Sequence, residues 1–93
     1  MDGRSIIAWN LRRLRFELSV PQERLAADSG VDRAYVSQLE RKRGNATIDL
    51  LDRLAAALEV PLAEFFREPE AGAKKPGTLP VGRKPRPKRR RSI

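Results

Sequence analysis

Four residues at helical spacing carry the side chains best suited to molecular recognition in this chain. Arg33, Ala34, Ser37 and Gln38 fall on one face of a short helix predicted from Arg33 to about Arg41. A guanidinium group and a primary amide each make paired hydrogen bonds to base edges, the guanidinium to guanine and the amide to adenine, and an alanine methyl fits against a thymine methyl. These side chains are therefore suited to reading base edges, and on an isolated helix the same pattern is also typical of an ordinary solvated face.

The composition argues against catalytic and metal chemistry. The 93 residues include no cysteine and no histidine, so the usual metal ligands and the usual general base are missing. The carboxylate pair Asp49 and Asp52 has no neighbouring base or metal ligand, and we interpret it as charge at a helix start. We expect no enzyme activity, no metal and no cofactor. The apolar stretches are too short to cross a bilayer, which favours a cytoplasmic protein without a membrane partner.

Five short helices with brief connections are predicted to hold the candidate surface, which makes the domain all-α. Pro21 and Pro61 separate helices, because proline fixes φ and disfavours a helical residue before it. Apolar residues in the first helix recur at intervals of four, three and four, which forms a single stripe: Ile7, Leu11, Leu14 and Leu18. The predicted helices cover residues 4–18, 21–28, 33–41, 47–59 and 62–66.

The second and third predicted helices have a helix-turn-helix layout. Ala26 is small enough to let two helices cross closely, and Gly30 tolerates the positive φ that the turn needs. Asp32 is a suitable N-cap for the third helix, and Val36 and Leu39 form its buried stripe. The opposite face of that helix is then free to enter the major groove.

Four strings resemble the Cro and C1 repressor helix-turn-helix family, also called the XRE family. They are NLRRLR at 10–15, QERLA at 22–26, GVDRAYVSQLER at 30–41 and LAAALEVP at 54–61. The resemblance covers residues 5–66 and implies a five-helix lambda-repressor-like DNA-binding domain over residues 4–68. It also implies a bacterial or phage-type regulator that binds a palindromic operator as a homodimer.

The resemblance assigns roles to individual residues. Gln22 holds a DNA phosphate, and Arg33, Ala34 and Gln38 meet base edges, with Ser37 beside them. A buried ion pair ties the first helix to the recognition helix through Arg15 and Glu40. The remaining contacts expected with the DNA backbone come from Tyr35, Arg41, Lys42, Arg43 and Asn45.

Three positions depart from the family pattern. Lys42 stands where the family has glycine after the third helix, so the resemblance does not define the backbone path of that loop. Ser19 stands where glycine is common after the first helix. Pro21 replaces the serine that caps the second helix, which removes a side-chain cap.

The net charge of +8 is concentrated at one end of the chain. Residues 1–70 hold 11 basic and all 12 acidic side chains, whereas residues 71–93 hold 9 basic residues and no acid. Residues 69–93 also contain five of the seven prolines and few large apolar side chains, so we expect a disordered basic tail. Such an arm can lie along DNA phosphates. The tail contacts expected with DNA are Arg83, Lys84, Arg86, Lys88, Arg89, Arg90 and Arg91.

Taken together, these features predict a sequence-specific transcriptional regulator that represses. We expect it to dimerise through Leu62, Phe65 and Phe66, with the two adjacent phenylalanines divided between the core and the dimer contact. One alternative is an antitoxin-like protein-interaction module that regulates its own operon, although the tail offers few apolar anchors for a partner. Another alternative is a general binder of nucleic acid driven by the tail. Truncation near residue 70 distinguishes a regulator, which keeps its site preference, from a tail-driven binder.

Overall fold

The computed structural model describes residues 1–69, which form four α-helices and one 3-10 helix. The α-helices are α1 (Gly3–Leu18), α2 (Gln22–Ser29), α3 (Arg33–Glu40) and α4 (Ile48–Leu58), and the 3-10 helix spans Leu62–Phe66. No strand occurs in this part of the chain, as the all-α prediction requires. Within the same residues, no helix is long and apolar enough to cross a membrane.

The predicted fifth helix is a 3-10 segment rather than an α-helix. Only five residues separate Pro61 from the extended Arg67, which leaves room for one turn and favours the tighter i to i+3 pattern. The Glu64 amide donates to the Pro61 carbonyl at 3.0 Å in that pattern. The α-helices begin and end within two residues of their predicted limits, because prolines and turn residues lie at those ends.

A single apolar core joins all five elements. α1 packs on α3 and on the 3-10 helix, while α2 packs on α3 and α4. Leu11 of α1, Leu54 of α4 and Phe65 of the 3-10 helix are fully buried where these elements meet. The predicted α1 stripe is buried at Ile7, Leu11 and Leu14 and half-buried at Leu18.

Side-chain caps fix the starts of α1 and α4. The Asp2 carboxylate accepts a hydrogen bond from the Ser5 amide at 2.8 Å, and this bond lowers the pKa of Asp2. Thr47 caps α4 by accepting from the Leu50 amide at 3.0 Å. The predicted side-chain cap of α3 was wrong: Asp32 occupies the cap position, but its carboxylate makes no capping bond.

Left-handed backbone conformations end the helices around the helix-turn-helix. Gly30 has a φ of 75°, as predicted for the turn between α2 and α3. Ser19 and Lys42 have φ values of 57° and 66°, although neither is glycine. Both positions carry glycine in the family pattern. The backbone therefore keeps the positive φ that is typical of glycine, although the residue differs.

A buried asparagine fastens the 3-10 helix to α1. The Asn10 amide nitrogen donates to the carbonyls of Ile6, Phe65 and Arg67 at 3.0, 2.9 and 2.8 Å. The Asn10 side-chain oxygen accepts from Arg13 Nε at 3.0 Å, so both ends of this fully buried amide are satisfied. The chain therefore leaves the core at a fixed point on α1.

Arg13 continues this connection to the 3-10 helix. Its Nη2 donates to the Glu64 carbonyl and to the Glu64 carboxylate, each at 3.0 Å. Burial raises the pKa of Glu64, but the hydrogen bonds from Arg13 and Arg67 outweigh that effect and hold the pKa below its ordinary value.

Candidate nucleic-acid interface

The two faces of α3 differ in exposure in the way that a recognition helix requires. Val36 and Leu39 are 0% and 3% exposed and fix the inner face in the core. Arg33, Ala34 and Gln38 are exposed on the outer face. The fourth predicted base contact, Ser37, is half-buried, and the other three share one accessible surface.

This surface is concave and includes the start of α2. Side chains from α2, from α3 and from the residue that directly follows α3 line an open groove of about 330 Å³. The lining contains two arginines, three polar side chains and no acidic residue among the residues that the structure describes. A groove with positive and amide groups suits the edges and phosphates of duplex DNA. The lining residues are Gln22, Arg33, Ala34, Ser37, Gln38 and Arg41.

A buried carboxylate stabilises the helices that form the groove. Glu40 lies at the end of α3 with 3% of its side chain exposed, and both of its oxygens pair with the Arg15 guanidinium of α1. Arg15 also donates from Nη1 to the Val20 carbonyl at 2.9 Å. The pair is therefore bidentate and well hydrogen-bonded, which is the arrangement that offsets the cost of burying charge.

The same carboxylate positions Gln22. The Gln22 side-chain nitrogen donates to Glu40 Oε1 at 3.0 Å. Since a primary amide has two N–H donors, one holds the side chain to Glu40 while the group lines the groove. Gln22 is thus fixed at the edge of α3.

The turn between α2 and α3 is braced by α4. Arg53 Nη2 donates to the Gly30 carbonyl at 3.2 Å. Glycine fits this turn by its φ of 75°, and a Cβ at position 30 would crowd the same Arg53 nitrogen at 3.2 Å.

The loop between α3 and α4 carries the exposed cations Arg41, Lys42 and Arg43, of which Arg41 lines the groove. Tyr35, for which a contact with the DNA backbone remains a prediction, engages this loop with its hydroxyl. That hydroxyl accepts from the Asn45 amide at 2.7 Å and donates to the Asn45 carbonyl at 2.9 Å. The structure therefore gives Tyr35 a bracing contact within the protein.

Sequence reasoning missed two arginines that brace this interface. Arg4 reaches the loop after α3 from 40 residues away, and Arg53 reaches the α2–α3 turn from 23 residues away. Both lie on exposed helix faces, where a lone arginine has the pattern of an ordinary solvated charge. No local spacing reveals such partners. The predicted tail contacts, from Arg83 to Arg91, lie outside the described residues.

The fold and the groove are those of a helix-turn-helix protein. The helix-turn-helix family HTH_3 matches residues 11–65, and the chain belongs to this family. The predicted resemblance is thereby confirmed.

Several known proteins are similar to this chain. The Neisseria hypothetical transcription factor of Neisseria meningitidis is 39% identical over 69 residues, which is 74% of this chain and 65% of that protein. The control protein C.SmaI of Serratia marcescens is 43% identical over 66 residues, which is 71% of this chain and 79% of that protein. The crystal structure of the hypothetical transcription factor NHTF from Neisseria superposes with a TM-score of 0.70 at 40% identity, covering 73% of this chain and 78% of that one.

Proposed function

We propose that this protein is a sequence-specific transcriptional regulator that binds double-stranded DNA and reads the major groove with α3. One observation carries the proposal: the outer face of α3 and the start of α2 form one acid-free groove, while the inner face of α3 is locked in the core. Relatives named as transcription factors and control proteins support the same function.

The groove residues have distinct tasks in this proposal. Arg33 pairs with a guanine edge and Gln38 with an adenine edge, and each such pair discriminates by about 1–3 kcal/mol. Ala34 contacts a thymine methyl, and Ser37 bonds to a neighbouring base or phosphate. Backbone contacts position the protein without reading sequence, and they come from Gln22, Arg41, Lys42, Arg43 and Asn45.

We propose that the active form is a homodimer on a palindromic operator, with recognition helices about 34 Å apart. Of the adjacent pair Phe65 and Phe66, which we expected to divide between the core and a dimer contact, Phe65 is 0% exposed and belongs to the core of its own chain. Phe66 and Ile48 are 46% and 58% exposed and line one concave surface, so they form the proposed contact. Phe66→Glu should yield a monomer in sedimentation; an unchanged dimer would rule this surface out.

Occupancy of promoter DNA by such a dimer blocks transcription, so we propose repression. The basic residues of 71–93 add affinity that is salt-sensitive and independent of sequence. The charge concentrated in that segment also favours a second candidate, a general nucleic-acid binder driven by the tail.

Selection from random duplex DNA tests the proposal, using the full chain and a chain that ends at residue 69. We expect both to enrich the same two-fold symmetric sequence, with weaker affinity and weaker salt dependence for the shorter chain. Enrichment of no sequence by either protein would contradict the regulator. Loss of all binding on truncation would support the tail-driven binder instead.

A further inference from the structure

Arg4, in the first turn of α1, forms hydrogen bonds to the loop after α3. Arg4 Nε donates to the Gly44 carbonyl at 2.9 Å, and Arg4 Nη2 donates to the Asn45 side-chain oxygen at 3.1 Å. The Tyr35 hydroxyl of α3 makes two further hydrogen bonds, to the backbone of Asn45. Arg4 and Tyr35 thus form a clamp on the segment from Gly44 to Asn45.

The backbone of the clamped loop is itself restrained by local contacts. The Arg43 amide donates back to the Gln38 carbonyl at 2.8 Å, and Lys42 and Gly44 both have positive φ. Gly44 lies so close to Tyr35 that an added Cβ would be 3.2 Å from the ring. The clamp therefore closes a loop whose backbone is already tightly bonded to α3.

The clamped loop also carries three exposed cations. Arg41 lines the base-reading groove, and the exposed Lys42 and Arg43 follow it directly in the chain. Ordering a mobile loop on binding costs conformational entropy, whereas a loop held in advance presents its charges at no such cost. A fixed loop therefore makes more phosphate contacts at the same moment than a mobile one.

We propose that Arg4 is a positioning residue for DNA-backbone binding, acting through the loop together with Tyr35. The inference rests on the proposed DNA-binding function and adds two residues to it. The geometry favours positioning over direct contact, because Nε and Nη2 of Arg4 are already engaged by Gly44 and Asn45.

The salt dependence of DNA affinity tests the clamp. The full chain and its variants are titrated with a 24-base-pair duplex of mixed sequence at several salt concentrations. Arg4→Lys keeps the charge but loses the two-pronged contact, and Tyr35→Phe loses the hydroxyl without changing charge. We expect each variant to bind about three- to tenfold more weakly at low salt and to flatten the salt slope by about 0.9 for each phosphate that the loop no longer neutralises. The matched control, Arg67→Lys, alters an arginine that bonds to Glu64, and it should behave as the wild type.

The slope separates positioning from direct contact. If Tyr35 bonded to a phosphate itself, Tyr35→Phe would weaken binding and leave the slope unchanged, because no charge is involved. If Arg4 acted as a simple charge on DNA, Arg4→Lys would match the wild type. Either result overturns the clamp.

A double variant and the wild type complete the test. We expect Arg4→Lys combined with Tyr35→Phe to lose less affinity than the two single changes together, since both release the same loop. Additive losses would count against a shared loop. A wild-type protein whose affinity did not depend on salt would instead overturn the proposed function. Circular dichroism at the assay temperature confirms folding, and should Arg4→Lys fail to fold, Tyr35→Phe still decides the question.

Discussion

Gln22 and Glu40 are joined across the helix-turn-helix by a hydrogen bond of 3.0 Å from the Gln22 amide to the Glu40 carboxylate. The carboxylate is buried at the end of α3 and is also paired with Arg15 of α1. A side chain at the groove is therefore fastened to the core of the domain. One buried acid fixes the relative positions of three helices.

Glu40→Ala should destabilise the domain by about 3–5 kcal/mol, because it leaves the Arg15 guanidinium without its partner in a nearly buried site. The free energy of unfolding from urea titration measures this loss. Replacing both partners, as in Arg15→Met with Glu40→Leu, should cost less than the two single changes together. A loss below about 1 kcal/mol for Glu40→Ala would contradict a structural role for the pair.

Lys42→Gly should stabilise the fold and weaken DNA binding. A non-glycine residue in the left-handed region costs about 1–2 kcal/mol, and the greater freedom of glycine in the unfolded chain offsets part of that, which leaves about 0.5–1 kcal/mol. Ser19→Gly is the matched control, because Ser19 has a similar φ at the end of α1. Thermal unfolding should rise for both variants, while DNA affinity should fall only for Lys42→Gly. Equal DNA affinity in both would remove Lys42 from the phosphate contacts.

The features that could be predicted from the sequence are those that depend on neighbouring residues. The stripe of Ile7, Leu11 and Leu14, the prolines and Gly30 located the helices, because burial periodicity and positive φ are local properties. The outward face of α3 followed from the same periodicity. Its partners in other helices did not follow from any local pattern.

The features that were missed depend on contacts between distant parts of the chain. Asn10 bonds to carbonyls 55 and 57 residues away, and Arg4 bonds to a loop 40 residues away. The hydroxyl of Tyr35 is exposed in any helical projection, and only the folded loop reveals its two bonds to Asn45. Likewise, the burial of Phe65 beside an exposed Phe66 depends on how the 3-10 helix docks on α1.

Asn10→Ala should destabilise the domain by about 2–3 kcal/mol, because it leaves buried carbonyls of the 3-10 segment without a donor. Asn10→Asp should be more harmful near neutral pH, since it places a carboxylate against the same carbonyl oxygens. The difference between the two variants should shrink in acid as that carboxylate takes up a proton. Urea titrations near neutral pH and in mild acid measure both effects. Equal stability of Asn10→Asp and the wild type would contradict the donor role of the amide.

Glu64 should contribute stability that disappears in acid. Its pKa in the folded protein lies below the ordinary value of 4.5, so between these two values the unfolded chain binds more protons and stability rises with pH. Glu64→Gln should cost about 0.5–1 kcal/mol near neutral pH, where the pair with Arg13 is present, and progressively less as the pH falls below 4.5. The free energies of unfolding of the wild type and of Glu64→Gln, measured from neutral pH into acid, give the difference in stability at each pH. A difference in stability that grows toward acid would contradict the stabilising role of the Glu64 carboxylate.

Base reading by the outer face of α3 and phosphate binding by the loop after it can be separated in one measurement. That measurement is the base preference at each operator position for Arg33→Ala and for Arg43→Ala, determined by selection and confirmed by affinity on single-base variants. We predict that Arg33→Ala loses preference at one position in each half-site, worth about 1–3 kcal/mol, and keeps the others. We predict that Arg43→Ala keeps every preference and binds all duplexes more weakly by a similar factor. Equal losses on operator and random DNA for both variants would contradict this division of roles.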